Sequence, residues 1–521
     1  MTQLWQLSAV DMAARLARGD VSSRELVQAH LDRIAAVDGK VRAFTAVFHD
    51  RALANADRAD DERRGGHARG ALHGIPVSIK ECFDFEGQPT TLGIPSWRAK
   101  VASADAAMVT LFRQLGAVIL GRTNISQTML FVESRNPLFG ETANPFSLAH
   151  TPGGSSGGEA AAVAAGMSPL GIGTDIGGSV RTPCHFSGIA GLKPSLDRLP
   201  MRGYRTVLAG QEAVRGQSGP LARTAADVTF LMRALDCRAM SALDPRVPPL
   251  AWEEPNDLEV RKLRVGVYQD DGVIAPSHAV ARAVDRAGDV LRTRGCEVVA
   301  FKPPRVAELV DDYLAALSAD GGEMILEALA RGEVDAVLKP LRRVATLPAG
   351  VRRGLARALS LAGEKRAAGM LSVMGEKKVA ELWRLTDRLR AYRFRVLDAM
   401  DAAKVDVIVC PVYATPALPH GFAKNFTLAS SYSMVWNAVQ FPAGVVPVTR
   451  VRDHETVRRA AKDSIEKHAA RVDKASAGLP VGVQIVARPW REATVLAVMQ
   501  AIEDGVRGDD DFPRTPRDPS A

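Results

Sequence analysis

Apolar positions follow two periods along the chain. Between residues 8 and 37 they recur at helical spacing, with Val27, Leu31, Ile34 and Ala35 on one face. "SAVDMAARLARG" opens on a Ser-x-x-Asp start and closes on Gly19. "SSRELVQAHLDRIAAVD" opens on the capping box Ser22-x-x-Glu25, so two helices are predicted here. Further on the pattern changes to short β-branched runs: "IPVSIKE" (75–81), "AVILGRT" (117–123), "LRVGVY" (263–268), "EVVAF" (297–301), "VDVIVCPV" (405–412), "AGVVPVT" (443–449) and "VGVQIVA" (481–487). These read as strands. Helical segments lie between them, which predicts an α/β architecture around a central sheet.

Three segments break the pattern. Residues 240–262, rich in Pro and acidic side chains, predict a surface excursion. "RGDDDFPRTPRDPSA" (507–521) predicts a disordered tail. Residues 347–379 mix Leu, Ala, Val and Met with many Arg and Lys and hold only two acids, Glu364 and Glu376. That composition suits a basic amphipathic helix pair at a membrane surface, and equally an ordinary solvated pair packed on the core.

Composition narrows the class. The 521 residues are 46% hydrophobic and 24% charged, as in a soluble globular protein with a large core. Five widely spaced cysteines and no C-x-x-C pair predict reduced thiols in a cytoplasmic protein rather than a disulfide framework or zinc site. A net charge of +8 is a mild bias and points to no nucleic-acid partner. The start lacks a signal-peptide pattern, and no apolar run is long enough to span a bilayer, so any membrane contact is expected to be peripheral.

Candidate chemistry centres on "TPGGSSGGEA" (151–160). No Lys follows these glycines, as a phosphate loop requires, and the preceding "NPFSLAH" is a poor strand for a dinucleotide fingerprint. Gly154 to Gly158 satisfy G-x-S-x-G, but the strand leading into a nucleophile elbow is missing and no downstream histidine has a suggestive context. A second Gly-Gly-Ser, Gly177-Gly178-Ser179, follows in "SPLGIGTDIGGSVRTP". Glycines let backbone N–H groups close on a substrate oxygen, so Ser179 has the surroundings of a nucleophile but lacks a base. Lys80 lies in the apolar run "GIPVSIKECFD". If buried, it would lose much of its basicity; if at the strand end, it would simply reach solvent.

Together these pieces resemble the amidase signature family. The span "GGSSGGEAAAVAAGMSPLGIGTDIGGSVR" (153–181) is similar to that family's signature almost throughout, and "GIPVSIKE", "GRTN" (121–124) and "GLPVGVQIVA" (478–487) match its other landmarks in order. "PVSIKECF", "NPLFGETANP", "YSMVWNAVQFPAGVVPVT" and "GLPVGVQIVARPW" resemble the fatty-acid amide hydrolase branch. The resemblance covers about residues 5–505. It implies one amidase signature domain over 1–506, a central mixed twisted β-sheet covered by helices on both faces, with a helical membrane-binding cap inserted at about 345–380.

The resemblance also implies roles. Ser179 is the nucleophile, Ser155 the bridging serine and Lys80 the base of a Ser-Ser-Lys triad. The N–H groups of Ile176, Gly177, Gly178 and Ser179 form the oxyanion hole, Ser156 supports it by hydrogen bonding, and Asp175 and Arg181 are structural partners. Met129, Leu130, Phe131 and Trp490 are candidates for an acyl channel, each a core-packing candidate as well. The implied substrate is a lipid-like amide, a fatty-acid amide or N-acylethanolamine, hydrolysed by a homodimer without metal or cofactor. The alternatives are hydrolysis of short-chain, aryl or peptide amides, the glutaminase subunit of a tRNA-dependent amidotransferase, and a non-catalytic scaffold.

Overall fold

The computed structural model describes residues 3–235, 237–458 and 461–519. The first two helices run Ala9–Arg18 and Ser23–Val41, and both start where the serines require. Ser8 Oγ accepts from Asp11 N (3.0 Å), and Ser22 and Glu25 close a reciprocal capping box (3.1 and 2.8 Å).

Among the described residues thirteen strands follow in chain order: β1 Phe44–Val47, β2 Pro76–Lys80, β3 Val118–Thr123, β4 Arg135–Asn136, β5 Gly140–Glu141, β6 Leu170–Asp175, β7 Ala190–Lys193, β8 Gln217–Ala222, β9 Arg264–Val267, β10 Glu297–Ala300, β11 Val407–Pro411, β12 Ala443–Arg450 and β13 Pro480–Ala487. All but β4 and β5 form one eleven-stranded sheet in the order β1-β3-β2-β6-β8-β7-β12-β13-β11-β9-β10. Pairing is parallel within β3-β2-β6 and within β11-β9-β10, and antiparallel elsewhere, so the sheet is mixed. Helices flank it, including the wholly buried Gly157–Ala164 and the largely buried Glu492–Val506.

All seven predicted strands are present. The pattern missed β6 (LGIGTD), β7 (AGLK) and β8 (QSGPLA), which are poor in β-branched residues and rich in small ones. Fully buried neighbours on both sides, rather than intrinsic propensity, hold them in the sheet.

One expectation is corrected. Residues 507–519 are packed, not disordered. Asp509 and Asp511 pair with Arg286 (2.8 Å) and Arg282 (3.2 Å), Phe512 is buried, and Arg517 N donates to Ala164 O (2.7 Å). The acidic run that reads as solvated is complementary to an arginine cluster distant in sequence. The 240–262 excursion runs over the surface as expected, most of its residues exposed or half-buried, with Met240 and Val247 as buried anchors and Asp244 accepting from Met201 N (2.9 Å) and Arg202 N (3.1 Å). No helix among the described residues is long and apolar enough to cross a membrane.

Candidate active site

β2 sends side chains alternately to two faces. Val77 and Ile79 join the main apolar core. Ser78 and Lys80 meet polar partners: Ser78 donates to Glu159, and Lys80 reaches Ser155 and Thr174. Lys80 is fully buried. Its Nζ lies 2.8 Å from Ser155 Oγ, 2.9 Å from Thr174 Oγ1 and 3.4 Å from Thr174 O. Burial pulls its pKa down to about 8, against the opposing influence of Cys82, Asp175, Glu159 and Glu81. Glu159 accepts from Thr123 Oγ1 (2.5 Å) as well as from Ser78. Burial pushes its carboxyl up to about 7, opposed by both hydrogen bonds and by Lys80.

Ser155 follows a cis peptide bond and precedes the helix Gly157–Ala164. Its loop is held from two sides. Ser134 Oγ donates to Ser155 O (3.3 Å) and accepts from Gly157 N (2.8 Å). Ser156 Oγ exchanges hydrogen bonds with Thr174 O (3.3 Å) and Thr174 N (3.4 Å), while Ser156 N donates to Ser179 O (3.2 Å). Ser156 thereby stitches the two Gly-Ser segments together.

Asp175 ends β6 and organises the turn after it. Its carboxylate accepts from the backbone N–H groups of Gly178 (2.8 Å), Val180 (3.1 Å) and Arg181 (3.3 Å), and from the Arg181 guanidinium twice at 3.0 Å. Arg181 is fully buried and also reaches Gln484 Oε1 (2.9 Å), Ser433 O (3.0 Å) and Asn437 Oδ1 (2.5 Å). Burial alone would raise the Asp175 pKa, but Arg181 outweighs it and holds the carboxyl well below the usual range. Gly178, at φ +115°, takes a backbone conformation that side chains rarely adopt and so presents Ser179 on a tight turn. Tyr313 Oη, from the helix Val306–Leu317, donates to Ile176 O (2.8 Å) and braces the same turn.

One detail departs from expectation. Of the four N–H groups expected to line an oxyanion hole, that of Gly178 is already engaged by Asp175 (2.8 Å). Its observed role is to hold the turn. The N–H groups of Gly177 and Ser179 donate to no protein group among the described residues.

A family model described as Amidase matches residues 25–496. The chain belongs to the amidase signature family. It is 37% identical over 441 residues to "Fatty-acid amide hydrolase 1" of Sus scrofa, covering 84% of this chain and 76% of that one. It is 34% identical over 500 residues to "Fatty acid amide hydrolase 1" of Caenorhabditis elegans (95% and 87%), and 31% identical over 502 residues to "Amidase 1" of Gibberella moniliformis (93% and 90%). A solved structure titled "Fatty acid amide hydrolase" superposes with a TM-score of 0.85 at 26% identity, over 98% of this chain and 86% of that one. The protein is an amide hydrolase by these relationships, with fatty-acid amide hydrolases among its relatives.

Within this amidase the expected channel residues divide. The segment holding Met129, Leu130 and Phe131 backs onto the loop that carries Ser155: a Cβ at Gly154 would stand 2.6 Å from Phe131 O. Met129 is buried, and Leu130 and Phe131 are half-buried. Trp490 is not brought to this cluster. It is 41% exposed, and its N–H donates to Ser195 Oγ (2.7 Å) where the chain turns out of β13. Thr174, Tyr313, Asn437 and Gln484 are absent from the sequence reading. Gln484 carried a signal, being the one amide side chain in the buried apolar strand "PVGVQIVA". Tyr313, 137 residues from its partner, carried none. Glu133, Glu141 and His420 also cluster, but Glu133 is taken by Gly421 N (2.8 Å) and Ala423 N (2.6 Å), and Glu141 by Arg135 (2.7 Å).

Proposed function

We propose that Ser179, Ser155 and Lys80 form a Ser-Ser-Lys triad that hydrolyses fatty-acid amides or N-acylethanolamines through an acyl-enzyme. The observation that carries the chemistry is the fully buried Lys80 ammonium, 2.8 Å from Ser155, with a pKa lowered by burial to about 8. As an ammonium, Lys80 directs its hydrogens to Ser155, Thr174 Oγ1 and Thr174 O. As a neutral amine it keeps two on Thr174 and turns a lone pair to Ser155. Lys80 then takes the Ser155 proton while Ser155 takes that of Ser179, and Ser179 Oγ bonds to the amide carbon. Free N–H groups of the 176–179 turn stabilise the oxyanion, about 3 kcal/mol for each donor. As the tetrahedral centre collapses, the C–N bond breaks and the relay returns a proton to the departing nitrogen. Water then attacks the acyl-enzyme by the same relay, releasing the acid and restoring Ser179. Ser156, Asp175 and Arg181 position the loop and do not touch substrate.

The substrate class rests on the likeness to two fatty-acid amide hydrolases at 37% and 34% identity. A lipid-facing cap fits it. In the helix Ala349–Leu361, Val351, Leu355 and Leu361 are exposed, the last at 91%, alongside Arg353 and Arg357. Peripheral contact of this face with a bilayer would bring apolar amides to the enzyme, and the homodimer expected of this branch would double the contact.

The test is hydrolysis of primary amides from acetamide to oleamide, with Ser179→Ala as control. Rates that climb with chain length and vanish in the variant support both parts. The likeness to "Amidase 1" favours a second reading. If short or aromatic amides win while Ser179→Ala is dead, that reading replaces the fatty-amide one and the triad stands. A fully active Ser179→Ala removes the triad.

A further inference from the structure

Between Asp175 and Val180 every peptide unit of the turn after β6 is trans. In a trans unit the carbonyl and the N–H that follows it point opposite ways, so whatever anchors one group aims the other. The anchors can be named unit by unit. Asn437 Nδ2 donates to Asp175 O (3.2 Å). Gly178 N donates to the Asp175 carboxylate (2.8 Å). Gly178 O accepts from Thr182 N (2.7 Å), within the first turn of the helix Arg181–Ser187. Ser179 O accepts from Ser156 N (3.2 Å), and Val180 N donates to the Asp175 carboxylate (3.1 Å).

The unit between Ile176 and Gly177 differs from the rest. Among the described residues its one protein anchor is Tyr313 Oη, which donates to Ile176 O (2.8 Å) from 137 residues away in sequence. All the other anchors of the turn are backbone groups, a carboxylate or an amide close to Ser179. Turning this unit over changes ψ of Ile176 and φ of Gly177, and glycine takes either sign of φ with little steric cost. The backbone therefore does little to hold the unit in place by itself.

Tyr313 is built for that contact. It is buried, on the helix Val306–Leu317. Burial, helped by the Asp175 charge, pushes its pKa above the ordinary tyrosine value, so its hydroxyl keeps the hydrogen it donates. A Cβ at Gly177 would stand 2.5 Å from Oη, so the phenol reaches the unit because residue 177 has no side chain.

We propose that Tyr313 is a positioning residue whose hydroxyl latches the Ile176–Gly177 peptide with the Gly177 N–H turned toward the reacting carbonyl oxygen. This rests on the proposed triad, whose oxyanion the 176–179 turn would stabilise. The Gly177 N–H engages no protein group, and it lies on the side of its unit away from Tyr313. The free N–H of Ser179 is aimed by the same device, with Thr182 N holding Gly178 O. Without the phenol, the 176–177 unit can turn over and set a carbonyl oxygen where the oxyanion forms, which repels it.

The test compares the natural chain with Tyr313→Phe on the fastest-cleaved amide of the acetamide-to-oleamide series. The trifluoromethyl ketone of the same acyl chain serves as inhibitor. Ser179 Oγ adds to its ketone carbon, the serine proton passes through Ser155 to Lys80, and the ketone oxygen becomes the oxyanion. No C–N bond breaks, so the inhibitor reads the oxyanion site without the leaving group. Tyr313→Phe should lower kcat about 10- to 100-fold with little change in KM, and weaken the inhibitor by a similar factor. The pH profile should still level off near the Lys80 pKa of about 8. A variant that had merely lost folded enzyme would lower kcat and leave the inhibition constant alone. Gly177→Ala, whose methyl would displace Oη, should show the same pattern, and the double variant should lose no more than the larger single loss. Unchanged kcat, a loss confined to KM, an unchanged inhibition constant, a shifted pH profile or multiplying losses in the double variant would each overturn the proposal. With Ser179→Ala dead, those outcomes remove the latch and leave the triad. A fully active Ser179→Ala removes the triad and the latch with it.

Discussion

At the scale of single residues, the proposed chemistry rests on Lys80 and Thr174. Thr174 offers two oxygens to one amine, at 2.9 and 3.4 Å, and so fixes which way the remaining orbital points. Thr174→Val keeps the shape and the backbone oxygen but removes Oγ1. It should lower kcat about 10- to 100-fold with little change in KM, and Thr174→Ser should restore it. The kcat/KM profile should rise tenfold per pH unit and level off near the Lys80 pKa of about 8, because the proposed relay requires the neutral amine. Stability follows the same group with a definite sign. The folded pKa lies below the ordinary lysine value of 10.5, so the unfolded chain binds more protons between about 8 and 10.5. Lys80 therefore makes folding more favourable as pH rises through that window, measurable by urea unfolding. Lys80 was legible as a charge in an apolar strand, and Ser179 as a hydroxyl among glycines. Thr174 was not, because its role depends on a lysine 94 residues away that only the paired strands bring near.

Elements carry the next level. The turn after β6 owes its shape to one carboxylate that gathers three N–H groups and a buried guanidinium. Arg181→Met strands Asp175 without its counter-charge and should cost about 3–5 kcal/mol in urea unfolding. The exposed face of Ala349–Leu361 makes a separate prediction. Leu355→Glu/Leu361→Glu should abolish co-sedimentation with anionic vesicles and leave hydrolysis of water-soluble amides intact. At this scale the sequence was readable where β-branched runs or caps are explicit, as in β12, β13 and the Ser22 start. It was unreadable where glycine and alanine strands are held by their neighbours, as in β6 to β8, and where an acidic tail meets arginines from distant helices.

At the scale of the whole molecule, the sheet order decides what can meet. β2 and β6 are neighbours although β3 lies between them in the chain, and that adjacency places Lys80 against Thr174. The family landmarks announced the arrangement because each lies on, or next to, a central strand. Trp490 shows the limit of that reading: it follows a landmark strand closely in sequence, yet the chain has turned outward before reaching it. The last central strand holds a further consequence. Gln484 of β13 anchors Arg181, and Arg181 anchors the turn that carries Ser179, so the turn depends on a residue 303 positions further along the chain. During synthesis every residue of the proposed triad leaves the ribosome long before that anchor does. A growing chain therefore carries its proposed nucleophile in an unformed state, and stalled chains that end before β13 should fail to react with a fluorophosphonate. A chain built in this order stays chemically silent until β13 has joined the sheet.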